Sequence, residues 1–139
     1  MSGTGPGAKM SAHEISYEVI KAAMKVHSVL GPGLLENVYK ACLAHELRKA
    51  GFEVKVEVPL PVLYDGVRLD LGYRIDLLVN DLVIVELKSV DELIPVHQAQ
   101  LLSHMKLSKK KLGLLINFNV IHLRDGIKRM VEGTGWDKP

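Results

Sequence analysis

Three charged residues, Asp76, Glu86 and Lys88, stand within two apolar runs of the sequence. The runs, Tyr73–Val79 and Leu82–Lys88, are rich in Val, Ile and Leu with little alternation, which is typical of strands covered on both faces. Burying an ionised side chain is costly unless it is paired or binds a metal. Because side chains repeat every second residue along a strand, Glu86 and Lys88 point to the same face.

The connection between the two runs decides whether Asp76 joins the other charges. A two-residue turn at Asn80-Asp81 sets Asp76 opposite Val85, on the other face from Glu86. A three-residue loop that includes Leu82, or a bulge, sets Asp76 opposite Glu86 instead. We predict the three-residue loop, because it gathers all three charges on one side of the sheet.

Two carboxylates brought together in this way repel each other. At ~4 Å and an effective dielectric near ~20 the repulsion is on the order of 4 kcal/mol. One lysine offsets part of it, and a divalent cation can offset all of it. Hard carboxylate oxygens beside a backbone carbonyl suit Mg²⁺ or Mn²⁺. A buried Asp–Lys–Glu ion-pair cluster, or exposed strand ends, explains the same residues without function, and spacing alone does not decide between these interpretations.

The order of these residues resembles that of a known nuclease superfamily. Asp76 followed by Glu86-Leu87-Lys88 on the next strand resembles the PD-(D/E)XK nucleases. A second segment, Gly33-Leu-Leu-Glu36-Asn-Val-Tyr39, is similar to the signature that names the GxxExxY family within that superfamily. Flanking segments at Val26-His27, Gly31-Pro32-Gly33 and Leu112–Phe118 extend the similarity over about Ile15 to Val131.

The resemblance implies a fold and a reaction. The fold is an α/β, restriction-endonuclease-like αβββαβ core, in which helices flank a central mixed sheet. The reaction is Mg²⁺-dependent hydrolysis of phosphodiester bonds, with Mn²⁺ as a substitute and DNA as the expected substrate. The implied metal ligands are Asp76, Glu86, the Leu87 carbonyl and, directly or through water, Glu36. Lys88 would orient the attacking water and Gln100 would assist at the phosphate. The alternative is a non-catalytic module on the same fold that binds nucleic acid or protein.

Several of these residues also have ordinary structural explanations. Glu36 lies in the first turn of a predicted helix, where a carboxylate meets the helix dipole for roughly 0.3–1 kcal/mol. Tyr39, one turn on, is either a hydrogen-bonding group at the site or a packing aromatic. Gln100 and His104 share a helix face. Lambda-exonuclease-like and RecB-like nucleases carry glutamine followed by tyrosine at this spacing, whereas this chain has His104. Exposed polar side chains are the alternative for both residues.

Two helices are predicted before the strands. The first is capped by Ser11 and ends at Gly31-Pro32-Gly33. Its predicted buried stripe is Ile15, Val19, Ala22, Val26 and Leu30. The second runs from about Leu34 to Ala50, with an apolar face of Leu35, Val38, Cys42, Leu43 and Leu47.

Three antiparallel strands are predicted next, then a helix and further strands. Phe52–Tyr64 is predicted as a half-exposed strand, and Asp65-Gly66 is a strong type I′ hairpin signal. The return strand starts at Val67–Gly72 and continues into Tyr73–Val79. A helix over about Val96–Leu107, packing through Ala99, Leu102 and Leu107, leads to a buried strand at Leu112–Phe118. That strand must cross over and pair in parallel, and Ile127–Val131 adds an edge strand.

Composition places the chain among single-domain globular proteins. Its 139 residues predict one domain over 11–133, a disordered tail over 1–10 and a C-terminal tail over 134–139. The net charge of +2 permits a nucleic-acid partner without requiring one. The single cysteine, Cys42, fits a reducing cytosol. No apolar run approaches the ~20 residues of a membrane helix, so a cytoplasmic protein without a membrane partner is expected. Homo-oligomerisation is left open.

Overall fold

The structure is a computed structural model that describes residues 10–139. The tail expected at residues 1–10 lies outside this range apart from Met10. The helices are α1 (Ala12–Leu30), α2 (Glu36–Lys49) and α3 (Pro95–Ser108). The strands are β1 (Val54–Pro59), β2 (Val62–Tyr64), β3 (Val67–Leu69), β4 (Arg74–Val79), β5 (Val83–Lys88), β6 (Leu112–Asn117) and β7 (Ile127–Val131), with a short 3₁₀ helix at Leu123–Gly126.

Five of the strands form one mixed sheet in the order β1-β4-β5-β6-β7. Neighbouring strands are antiparallel except β5 and β6, which pair in parallel. The connection between those two strands runs through α3, as parallel pairing requires. The predicted αβββαβ core is therefore confirmed: helices precede the β1-β4-β5 meander, and α3 and β6 follow it.

The segment expected to form one long strand is divided. β1 ends at Pro59, and β2 pairs only with β3 in a separate two-stranded hairpin. Prolines at positions 59 and 61 cannot donate to a strand ladder, which explains why the pairing with β4 does not continue. The predicted type I′ turn is present, with φ of 53° at Asp65 and 74° at Gly66.

Helices cover both faces of the main sheet. On one face α1 and α2 pack through Ile15, Val19, Leu43 and Leu47 against strand residues that include Leu77, Val85 and Leu114. On the other face α3 packs through Leu101 and Met105 against Leu78, Ile84 and Leu115. A side chain at Gly113 would meet the Leu101 and Met105 side chains at 2.8 Å, so the glycine lets α3 approach the sheet closely.

The predicted helix faces are only partly correct. In α1, Ile15, Val19 and Val26 are buried, but Ala23 replaces Ala22 in the fully buried stripe. In α2, Leu35 and Val38 are exposed, whereas Tyr39, Lys40, Leu43, Ala44 and Leu47 are buried. In α3, Leu101 and Met105 face the core rather than Ala99 and Leu107. Apolar residues surround α2 and α3 on several sides, so periodicity alone does not identify the face that meets the sheet.

Residues near both ends of the described range contact α1. Ser11 and Glu14 form a capping box at its start, with Oγ of Ser11 3.1 Å from the backbone N of Glu14. Trp136 lies in the segment that was expected to be a tail, but it packs against the core between α1, α2 and the sheet. Its backbone carbonyl accepts a hydrogen bond from the backbone N of His13 at 3.0 Å. Within residues 10–139, no helix has the length and apolarity needed to cross a membrane.

Candidate active site

The hairpin between β4 and β5 has the predicted register. Leu77 pairs with Val85 and Val79 with Val83, so the loop is the three-residue Asn80-Asp81-Leu82 and the register sets Asp76 opposite Glu86. Asn80 and Asp81 both adopt the left-handed region, with φ of 51° and 57°. Short polar residues tolerate that conformation better than others, which favours this loop.

The two strands part beyond the Leu77–Val85 pair, and the Asp76 side chain lies where they part. Its Oδ2 accepts from the backbone N of Leu87 at 2.8 Å, in place of a backbone carbonyl. In an extended strand the N–H and C=O of one residue point to the same edge, so the Leu87 carbonyl is also directed to the Asp76 side. The Lys88 carbonyl is directed the other way and accepts from Phe118 N at 3.0 Å.

Glu86 is buried and its two carboxylate oxygens have different surroundings. Oε1 is 3.1 Å from Nδ1 of His104 on α3. Oε2 is buried and has no hydrogen-bond partner in the described part of the chain. The hydrogen bond to Glu86 raises the pKa of His104 and outweighs the lowering effect of burial. One buried carboxylate oxygen is therefore left open to a further group.

Lys40 is a buried cation that sequence reasoning missed. Its Nζ lies 2.5 Å from Oε2 of Glu57 and 3.4 Å from Oδ1 of Asp76. Burial lowers the pKa of Lys40. The hydrogen bond to Glu57 and the charge of Asp76 raise that pKa by more than burial lowers it, so the net shift is upward. Lys40 follows Glu36 by four residues on α2, and this spacing is typical of an ion pair on the exposed face of a helix. The sequence pattern therefore does not indicate that the Lys40 side chain is buried.

Asp76 and Glu86 were expected on one side of the sheet, and the structure sets them against different helices. Lys40 of α2 contacts Asp76, whereas His104 of α3 contacts Glu86. The reason lies in β4, where Ile75 packs with the α3 core and Leu77 with the α1–α2 core, although residues two apart normally share a face. The neighbouring strand β1 is irregular at the same place. Glu57 lies between Val56 and Val58, which pair with Leu77 and Ile75, and it has φ of 55°.

Glu36 lies within electrostatic reach of the strands. It is half-buried, and burial followed by the charge of Asp76 raises its pKa, while Lys88 and Lys40 act in the opposite direction. The helix start that carries it is anchored to β5, because Ser89 Oγ donates to the carbonyl of Leu34 at 2.6 Å. Glu36 is thus near enough to Asp76, Lys88 and Lys40 for their charges to shift its pKa.

Tyr39 is a structural residue rather than a ligand. Its ring is fully buried and stacks on Phe118 at 4.5 Å between centroids. Its hydroxyl donates to the Gly31 carbonyl at 2.6 Å and accepts from Leu34 N at 3.1 Å. The tyrosine therefore holds the loop between α1 and α2, and through it the start of the helix that carries Glu36.

Lys88 and Gln100 are both free for other interactions. Lys88 is partly buried, and its amine makes no ion pair or hydrogen bond with another residue of the range 10–139. Gln100 is exposed on α3 and lines a groove with His104, so these two residues do share a helix face, as predicted. It makes no hydrogen bond with Asp76 or Glu86.

The donor set suits a hard divalent cation in its chemistry, but it is not gathered around one point. The carboxylates of Asp76 and Glu86, the latter with its open Oε2, and the Leu87 carbonyl are oxygen donors of the kind that Mg²⁺ and Mn²⁺ prefer. Across residues 10–139, no group of three or more His, Cys, Asp or Glu side chains is arranged to hold a metal ion. Glu36 in particular interacts with Asp76 and Glu86 through charge alone.

Comparison with known protein families finds a nuclease superfamily. A sequence profile of the PD-(D/E)XK nuclease superfamily matches residues 13–130. No curated protein and no solved structure matches the chain. The matched segment covers most of the 139 residues and includes both hairpin carboxylates, Lys88 and the helix that carries Glu36. The chain therefore belongs to the PD-(D/E)XK nuclease superfamily.

Proposed function

We propose that this protein hydrolyses phosphodiester bonds in DNA with Mg²⁺, or with Mn²⁺ in its place, as a member of the GxxExxY family. The observation that carries the proposal is the buried Glu86 carboxylate, one oxygen of which has no partner among residues 10–139. An unsatisfied buried carboxylate oxygen is costly, and a bound cation removes that cost. Membership of a nuclease superfamily supports the same reaction.

The proposed ligands are the Asp76 and Glu86 carboxylates and the Leu87 carbonyl, with Glu36 reaching the cation directly or through water. A divalent cation held there would polarise the scissile phosphate and lower the pKa of a bound water. The chain's own residues support this in two ways: the Leu87 N–H fixes Asp76, and His104 fixes one oxygen of Glu86.

Lys88 is the proposed donor to the charge that develops during cleavage. It follows Glu86 by two residues on β5, so the two side chains share a face of the strand. Its amine has no competing partner in the described range, and an ammonium group offers only hydrogen-bond donors. It can therefore orient a water or stabilise a phosphate oxygen, but cannot ligate the cation while it is protonated. Gln100 is the proposed helper at the phosphate.

The test is a nuclease assay on labelled single- and double-stranded DNA with defined ends, with Mg²⁺, with Mn²⁺ and with EDTA. We expect metal-dependent cleavage that Glu86→Gln abolishes. Glu53→Gln is the matched control, because Glu53 is exposed and its side chain has no hydrogen bond or ion pair within residues 10–139. Cleavage that survives both EDTA and Glu86→Gln would place the chemistry elsewhere.

A non-catalytic module that binds nucleic acid is the second candidate. It is favoured by the Lys40 amine, which already neutralises Asp76, and by the lack of a three-ligand cluster in the described residues. In the assay above, this candidate predicts DNA binding without cleavage under every metal tried. We further propose a cytoplasmic location, with which the single cysteine, Cys42, is compatible.

A further inference from the structure

A groove of about 410 Å³ lies between α3 and the segment that leads from β2 to β4. It is lined by Val62 and Tyr73 on one side and by residues of α3, including Ala99, Gln100 and His104, on the other. A volume of this size falls within the ~300–1,000 Å³ of sites that hold small organic groups. The groove can therefore accommodate one or two nucleotide-sized groups.

The walls of the groove combine an aromatic ring with free polar groups. Tyr73 is 52% exposed, and its ring centroid lies 6.1 Å from that of His104 at an interplanar angle of 58°. Gln100 and Ser103 line the α3 side of the groove and make no side-chain hydrogen bonds with other residues of the described range. An exposed ring beside unpaired amide and hydroxyl groups is suited to a nucleobase, which stacks on one and is hydrogen-bonded by the others.

The groove adjoins the candidate active site through His104. His104 lines the groove and lies 6.1 Å from the Tyr73 ring between centroids, and its Nδ1 is 3.1 Å from Oε1 of Glu86. One residue therefore contacts both the aromatic wall of the groove and a proposed metal ligand.

We propose that this groove binds an unpaired nucleotide next to the scissile phosphate, so that the preferred substrate contains a single-stranded segment. The inference rests on the proposed function for the position of the scissile bond. Bases inside a duplex are already stacked on their neighbours and cannot stack on Tyr73. Contacts with the base face and edge serve DNA and RNA alike, whereas a 2′-hydroxyl is available only on RNA.

Binding of labelled oligonucleotides to the full chain in EDTA tests the groove separately from cleavage. The probes are a single-stranded DNA of about 12 nucleotides, within the ~4–16 nucleotides of single-strand sites, its blunt duplex and the matching RNA. Tyr73→Ala should weaken single-strand binding about 5- to 150-fold, the range that loss of one base–aromatic stack produces. Tyr73→Phe keeps the ring and should bind within about twofold of the wild type. Duplex binding should be unchanged in both.

Tyr17→Ala is the matched control, because Tyr17 is 57% exposed but lies on α1, away from the groove. Ala99→Glu is an independent variant: it places a negative charge in the groove on a helix position where both residues are good helix formers. It should weaken binding of the single strand as much as Tyr73→Ala does. Melting curves show that each variant is folded.

Each result bears on the groove or on the proposed function separately. If Tyr73→Ala and Ala99→Glu bind the single strand as Tyr17→Ala does, or if the wild type prefers the blunt duplex, the groove proposal is overturned. If single strands bind through Tyr73 but no metal supports cleavage, the groove stands and the proposed function fails. If the wild type cleaves and Tyr73→Ala has the same KM for a single-stranded substrate, the function stands and the groove fails. Equal binding of RNA and DNA indicates contacts with the base rather than the sugar.

Discussion

At the scale of single residues, the central feature is the asymmetry of Glu86. One oxygen is held by His104 and the other is buried without a partner, so the carboxylate is oriented yet incompletely satisfied. Such an arrangement is costly in a structure that serves only stability. It is suited to a site that completes its contacts when a cation binds.

His104→Phe should destabilise the protein and reduce cleavage, because it leaves both oxygens of a buried carboxylate without partners. Loss of the partner of a buried polar group costs about 1–3 kcal/mol. His104→Gln keeps a donor near Glu86 and should recover most of the stability. Urea unfolding and cleavage rates of both variants check this prediction. Equal stability of the two variants and the wild type would show that the His104–Glu86 contact is not formed in solution.

Lys88→Ala should lower kcat about 10²–10³-fold, the effect of removing one preorganised donor to a transition state. Substrate affinity and metal binding should change little, since the lysine interacts with developing charge. Asp76→Ala should weaken metal binding and activity together. Lys128→Ala, on the exposed face of β7, is the matched control. Single-turnover cleavage at saturating Mg²⁺ separates these cases, and a wild-type rate for Lys88→Ala would show that Lys88 takes no part in the chemical step.

Sequence reasoning at this scale singled out Asp76, Glu86 and Lys88 and predicted the three-residue loop. It could do so because buried charges in apolar strands are conspicuous and loop length sets the register. It was wrong that the register gathers the three charges on one side, since Asp76 and Glu86 meet different helices. It missed Lys40 because the spacing of Glu36 and Lys40 is typical of an exposed helix ion pair. It also missed Glu57, the partner of Lys40, whose left-handed φ of 55° no local pattern predicts for a glutamate.

At the scale of elements, the loop between α1 and α2 connects the helical layer to the strands. The Tyr39 hydroxyl bridges Gly31 and Leu34, and Ser89 at the end of β5 donates to Leu34. The spacing of Gly33, Glu36 and Tyr39 in the sequence segment thereby has a physical basis: the tyrosine fixes the turn from which the glutamate projects. The parallel pairing of β6 with β5 was predictable from the order of the elements, because a helix lies between the two strands and parallel pairing requires such a crossover.

Tyr39→Phe should lower the free energy of unfolding by about 1–2 kcal/mol, because it deletes two buried hydrogen bonds while the stacked ring remains. Cleavage should also fall, since the start of α2 carries Glu36. Tyr17→Phe is the control: its hydroxyl makes no hydrogen bond to the rest of residues 10–139, so stability should change by no more than about 0.5 kcal/mol. Denaturant titration of both variants provides the comparison. A Tyr39→Phe variant as stable and active as the control would contradict the role assigned to the hydroxyl.

At the scale of the whole molecule, the candidate site draws on both faces of the sheet. α2 supplies Lys40 and Glu36 from one face, and α3 supplies His104 from the other, where β4 and β5 part. Sequence reasoning gave the layers correctly but not the helix faces, because the apolar residues of α2 and α3 do not form one stripe. The face of each helix is set by the strand residues it meets, and those lie far away in the sequence.

If the proposed ligands bind a cation, that cation should stabilise the whole domain, because only the folded chain holds Asp76 of β4 on the strand next to Glu86 and Leu87 of β5. A ligand at about a hundred times its dissociation constant adds ~2.7 kcal/mol of stability. For a domain of this size that corresponds to a rise in Tm of roughly 10 °C. Thermal melts with Mg²⁺, Mn²⁺ and EDTA measure the shift. The rise in Tm should be absent in Asp76→Ala and Glu86→Ala and retained in Asp70→Ala, whose carboxylate is exposed beyond the site.

A rise in Tm that is equal in the wild type and all three variants would mean that the cation binds elsewhere. No rise in any of them, with or without an uncleaved oligonucleotide, would contradict the proposed metal site.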